Sequence, residues 1–148
     1  MPKDLSNYRK SYEKHELLES NCPGKPMDLF KDWFLNADAS NTIEETNAMT
    51  ISTIGNDGYP KSRVVLLKKY TEEGFVFYTN YTSVKGRSLL ENPKAALCFN
   101  WSVIGMEVQV QGEVSQVTDE EADKYFASRN LKSQIGAWAS KQSSEIEN

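Results

Sequence analysis

Histidine, cysteine and glycine-rich loops are scarce in this chain, and each scarcity removes a class of chemistry. One histidine, His15, sits in a polar N-terminal stretch. That excludes zinc sites built on several histidines and argues against a Ser-His-Asp triad. Cys22 and Cys98 form no C-x-x-C pair, and Cys98 lies in an apolar run, so two thiols in a reducing compartment are expected and nothing requires a disulfide. The eight glycines never form G-x-G, so neither a dinucleotide fingerprint nor a P-loop is present. The longest apolar run, Ala95 to Phe99, is five residues, too short to span a bilayer. The opening Met-Pro-Lys-Asp-Leu lacks the apolar centre of a secretory signal, so a cytoplasmic location is expected. The net charge of −4 argues against bulk attraction to nucleic acid or to an anionic membrane, though it leaves room for a local basic patch.

What is present suits one folded domain. The chain has 148 residues, 39% of them hydrophobic and 11% aromatic, and a chain of this size buries roughly 68–70% of its unfolded surface. Residues 1–25 are polar and read as a short helix followed by a loop. Met27, Leu29, Phe30, Trp33, Phe34 and Ala37 recur at helical spacing, which predicts an amphipathic helix over 26–38. After Asn47 the period becomes strand-like. Strands are predicted at 48–54, 61–70, 75–79, 94–101 and 107–117, with the first two joined by the turn Gly55-Asn-Asp-Gly58. The run Val64-Val-Leu-Leu67 reads as buried on both faces. Thr82 or Ser83 caps a helix that Pro93 ends. Thr118-Asp-Glu-Glu121 is a capping box opening a helix to about Ser128, and a short helix follows over 133–140. Antiparallel strands with helices at the ends and in one crossover predict a mainly β, α+β barrel.

With metals, triads and glycine loops set aside, basic residues remain. Lys61, Arg63, Lys68, Lys69, Lys85 and Arg87 form one set, and Lys124, Arg129 and Lys132, with Tyr125 and Ser133, form another. A phosphate dianion needs such cations together with hydroxyl donors. Surface charge that only solubilises the fold has the same composition. Two details favour a site. Arg63 and Lys68 bracket an apolar strand and point to opposite faces if the strand is regular. Tyr125, Arg129 and Ser133 recur every four residues and would share one face of a continuous helix.

Several segments together resemble the pyridoxamine/pyridoxine 5′-phosphate oxidase family. They are Arg63-Val-Val-Leu-Leu-Lys68, Phe75-Val-Phe-Tyr-Thr-Asn80, Tyr125-Phe-Ala-Ser-Arg129, the stretch from Ser133 to Ser143, and Arg9-Lys-Ser-Tyr12 near the start. The resemblance implies a homodimeric split β-barrel over 26–148 with FMN bound between subunits, and a lid helix and loop over 1–25. It implies that Arg63, Val64, Val65, Leu66, Leu67 and Lys68 line the FMN site, continued by Tyr78 and Thr79. Lys85 would contact the flavin phosphate, and Glu107, Gln142 and Ser143 would complete the cofactor set. The substrate phosphate would be held by Lys68, Tyr125, Arg129 and Ser133, with Arg9, Lys10, Ser11 and Tyr12 folding over it. No metal is implied. By the same resemblance no side chain would act as the redox catalyst, because FMN would carry the oxidation of the vitamin phosphate to pyridoxal 5′-phosphate, with oxygen as acceptor.

Departures from the family pattern modify these expectations. Val84 stands where a basic residue is usual, Met106 and Glu107 replace an Arg-Gln pair, and Asn130 replaces a proline. The pattern also continues past Asn148 with further FMN and substrate residues. Impaired turnover is therefore expected of these residues alone. The alternative is a non-catalytic split-barrel protein that binds FMN or pyridoxal phosphate.

Overall fold

Alternation of large apolar side chains with polar ones sets the sheet, and the 3.6-residue period sets the helices. The computed structural model describes residues 3–11, 13, 16–140 and 142–144. The strands are β1 (Ala48–Ile54), β2 (Pro60–Thr71), β3 (Gly74–Phe77), β4 (Lys94–Trp101) and β5 (Met106–Glu113). The α-helices are α1 (Pro26–Ala39), α2 (Val84–Glu91), α3 (Asp119–Ser128) and α4 (Leu131–Ala139). The strands form one sheet in the order β3-β2-β1-β4-β5. β1 runs antiparallel to both β2 and β4, and β2 runs antiparallel to β3. This α+β architecture agrees with the class expected from sequence.

The chain divides into two compact units, Met1–Thr46 with Asn100–Glu107 and Asn47–Phe99 with Val108–Asn148. In the first, Pro26 opens α1 with a φ already suited to a helix. Phe30 and Ala37 are buried, and the rings of Phe30 and Phe34 lie 6.3 and 6.1 Å from that of Trp101. The Trp101 indole N–H donates to the Thr46 carbonyl at 3.1 Å, so burying this large ring leaves its one donor satisfied. Among the described residues of 1–25 the expected helix is not formed. The regular element there among the described residues is a 3₁₀ turn at Glu19–Asn21, because the few apolar side chains at Leu5, Tyr8, Leu17 and Leu18 stay exposed and have no face to bury.

In the second unit, Met49, Ile51 and Thr53 of β1 point inward with Val65 and Leu67 of β2 and Phe99 of β4. Burying each of the larger of these side chains is worth about 1.5–3 kcal/mol. The β1–β2 turn uses Gly58 at φ +79°, a conformation that glycine adopts without a side-chain penalty. Register pairs Met49 with Val65 and Ile51 with Arg63. That register corrects one expectation. Val64–Leu67 is not buried on both faces, since Val64 is 66% exposed while Val65 and Leu67 face the core.

Other boundaries differ from the sequence reading as well. β3 ends at Phe77, so Tyr78 and Thr79 follow the strand rather than lie in it. β5 ends at Glu113, four residues before the predicted boundary. Tyr125, Arg129 and Ser133 do not share a continuous helix. Arg129 leaves α3 with ψ 151°, and Asn130 at φ −63° caps α4 by accepting the Ser133 N–H at 2.9 Å. A local side-chain cap offers the chain a new start, so the four-residue spacing spans a break.

Candidate functional site

Two partly desolvated cations, Arg63 and Lys85, act on each other electrostatically. Arg63 is half-buried on β2, and its Nη1 donates to Thr53 Oγ1 across the β1–β2 ladder at 2.7 Å. Lys85 is buried on the first turn of α2, at 8% exposure, and its Nζ donates to Ser83 Oγ at 3.4 Å and to Gln142 Oε1 at 3.3 Å. Burial lowers the Lys85 pKa, and the charge of Arg63 lowers it further. Burial alone lowers that of Arg63. Among the described residues neither cation has a carboxylate partner. Two partly desolvated positive charges without a counter-charge are unfavourable unless an anion joins them.

The local fold fixes this arrangement. Ser83 caps α2, accepting the Gly86 N–H at 3.2 Å and donating to the Asn80 carbonyl at 2.7 Å. Gly86 packs against residues 80–81 so closely that a Cβ would meet the Tyr81 carbonyl oxygen and lie 2.7 Å from that of Asn80. The first turn of α2 therefore sits against the segment that follows Tyr78 and Thr79. An oriented helix start, a buried ammonium and a guanidinium together suit a phosphate, so the residues fit the phosphate end of FMN.

A second group joins β2, the segment after β3, and α3. The rings of Tyr78 and Tyr125 stack with centroids 3.7 Å apart and planes 4° from parallel. Lys68 Nζ lies 6.0 Å from the centre of the Tyr125 ring. Lys68 stands where the β2–β3 register shifts between Leu67 and Lys69. Glu121 Oε1 accepts from Tyr78 Oη at 3.4 Å and pairs with Lys69 Nζ at 3.5 Å. Burial raises the Tyr78 pKa, and the negative charge of Glu121 adds to the rise.

The remaining expected residues divide clearly. Arg129 and Ser133, both half-buried, flank the α3–α4 break, and among the described residues neither side chain bonds to Lys68 or Tyr125. The Arg129 carbonyl instead accepts from Gln134 Nε2 at 2.7 Å. Leu66 and Thr79 are half-buried. Ser143 is exposed at φ +62°. Glu107 points outward on β5, and Arg9, Lys10 and Ser11 are exposed coil. Tyr12 and His15 lie outside the described residues. Trp138, on α4, is 83% exposed and beside an open groove with Phe126 and Ala137. Sequence reasoning did not single out Thr53, Gly86 or Glu121. The capping box had marked Glu121 only as a helix-start residue.

The family model described as pyridoxamine 5′-phosphate oxidase matches residues 35–148. The chain belongs to the pyridoxamine 5′-phosphate oxidase family. A pyridoxine/pyridoxamine 5′-phosphate oxidase of Christiangramia forsetii is 54% identical over 146 residues, covering 99% of this chain and 68% of the relative. One of Flavobacterium psychrophilum is 53% identical over 144 residues, covering 97% and 67%. The crystal structure of PhzG from Burkholderia lata 383 in complex with tetrahydrophenazine-1-carboxylic acid is similar at TM-score 0.83 and 29% identity, covering 90% of this chain and 66% of that one. The chain thus spans about two thirds of the length of these relatives. The sheet and helices are consistent with the split barrel expected from the family pattern. Among the described residues no helix is long and apolar enough to cross a membrane.

Proposed function

We propose that the chain acts in the FMN-dependent oxidation of pyridoxamine or pyridoxine 5′-phosphate to pyridoxal 5′-phosphate, as a cytoplasmic homodimer. The observation that carries this reading is the pair Arg63 and Lys85, two cations that repel each other and, among the described residues, have no carboxylate partner, in a chain of this family. Lys85 and Arg63 hold the flavin phosphate, and Gln142 accepts a hydrogen bond from the Lys85 ammonium. Thr53 orients the Arg63 fork, so the guanidinium needs little reorganisation when the anion enters. When bound, FMN supplies the two-electron oxidation and passes the electrons to oxygen.

Lys68 and Tyr125 bind the vitamin phosphate, and Tyr78 supports Tyr125 by stacking. Arg129 and Ser133 bring further donors from the α3–α4 break. The lid role of Arg9, Lys10, Ser11 and Tyr12 and the cofactor roles of Glu107 and Ser143 are part of the same proposal, supported by the family likeness. Val84 opens α2 without the usual basic charge, so the flavin phosphate is held less tightly and turnover by these residues is slower than in the longer relatives.

The test mixes the purified chain with FMN and pyridoxine 5′-phosphate and follows hydrogen peroxide. Peroxide that requires both additions is the expected result. Bound FMN with no peroxide at saturating substrate would favour the non-catalytic binding protein.

A further inference from the structure

Glu121 is spent on an unusual contact. As the third residue of α3 it donates its own N–H to Thr118 Oγ1 at 3.2 Å, which is one half of a capping box. In the reciprocal half the glutamate carboxylate turns back to the backbone N–H of the cap. Here the carboxylate instead crosses to Tyr78 Oη and Lys69 Nζ, 43 and 52 residues away in sequence. The local use of the side chain has been given up for a tertiary one.

The Tyr78–Tyr125 stack calls for such a support. Centroids 3.7 Å apart with planes 4° from parallel leave little lateral offset. Face-to-face rings are less favourable than offset or edge-on ones, because their negative faces oppose each other. A hydrogen bond on the rim of one ring can hold it in place. Glu121 and Tyr125 stand four residues apart on α3 and so on one face of the helix, which turns both toward Tyr78. Glu121 also reaches Lys69, the neighbour of Lys68.

We propose that Glu121 is a positioning residue, whose carboxylate anchors Tyr78 and thereby places Tyr125 against Lys68 in the vitamin-phosphate clamp. The substrate part of this inference rests on the function proposed above. The anchoring part does not. Glu121 touches no substrate and acts through Tyr78.

The groups acting on the Tyr78 phenol are Glu121, Tyr125 and Tyr81, and Lys69 pairs with the same Glu121 carboxylate. The test uses Glu121→Ala, Glu121→Gln, Tyr78→Phe and the double variant Glu121→Ala with Tyr78→Phe. In the ligand-free protein, ultraviolet difference titration of wild type against Tyr78→Phe isolates the Tyr78 phenol. Both Glu121 variants are expected to move its ionisation to lower pH, because the negative charge that opposes it is gone. Glu121→Gln keeps the size and helix-forming character of the residue, so this readout survives if the alanine variant folds poorly. An unmoved ionisation overturns the anchoring.

In the FMN-loaded protein, Glu121→Ala is expected to raise the KM for pyridoxine 5′-phosphate about fivefold, with FMN affinity and kcat within about twofold. In the Tyr78→Phe background the same substitution should add nothing. Independent, additive effects would overturn the route through Tyr78. If wild type shows no turnover, the proposed function fails, while the ligand-free titration still decides the role of Glu121.

Discussion

Lys85 Nζ meets Gln142 Oε1 at 3.3 Å across 57 residues of chain, and the contact gives the buried ammonium a neutral partner instead of a charged one. The consequence is a pH-dependent stability. Burial first and Arg63 second lower the Lys85 pKa below its ordinary 10.5. Between the lowered value and 10.5 the unfolded chain binds more protons than the folded one, so the stability of the ligand-free protein rises with pH through that window. Thermal melts across the alkaline range should show Tm rising there relative to Lys85→Met. A wild-type slope no different from that of the variant would mean that Lys85 is not strained by its site.

Gly86 is the position least able to accept a side chain. Its Cβ would press on the carbonyl oxygens of Asn80 and Tyr81, which are backbone atoms and cannot swing away. Gly86→Ala should destabilise the fold by about 1–3 kcal/mol despite the gain in helix propensity. Chemical denaturation measures it, and a stabilised variant would show that α2 can slide.

Asn130 sits at the α3–α4 break in a backbone that proline could also adopt. Its φ of −63° matches proline, Arg129 before it is extended at ψ 151°, and among the described residues the Asn130 N–H donates no hydrogen bond. Asn130→Ala loses the α4 cap and should cost about 1 kcal/mol. Asn130→Pro loses the same cap but restricts the unfolded chain, a gain of about 0.4–1 kcal/mol that offsets most of the loss. Equal destabilisation by the two substitutions, read from denaturation midpoints, would contradict this account.

Arg129 belongs to the substrate side of the proposed site, and among the described residues it shares no hydrogen bond with Lys85. Arg129→Ala should raise the KM for pyridoxine 5′-phosphate about tenfold or more, the loss of a charge-assisted hydrogen bond, with flavin affinity unchanged. Steady-state kinetics with a parallel FMN titration separates the two effects. An unchanged KM would remove Arg129 from the clamp.

The sequence was most legible where local physics decides. β1 lies at the residues read from β-branched spacing, the α2 and α3 caps are Ser83 and Thr118, and β4 has the predicted bounds. Lys85 was legible only through the family pattern, since nothing in its immediate neighbours signals burial. What stayed hidden depends on contacts distant in sequence. Thr53 matters because register brings it beside Arg63, Gly86 because a loop packs on it, and Glu121 because Tyr78 is folded against its helix. The helix periodicity of Tyr125, Arg129 and Ser133 misled because Asn130 prefers to cap a new helix rather than continue the old one.

The central claim is that Arg63 and Lys85 form the seat of a flavin phosphate. A fluorescence titration with FMN and with riboflavin, on wild type and on Lys85→Met, tests it most directly. FMN should bind wild type at least about tenfold more tightly than riboflavin, as charge-assisted contacts to a phosphate require, and Lys85→Met should remove most of that preference. Equal affinity for the two flavins in wild type, or a preference that survives in Lys85→Met, would contradict the claim.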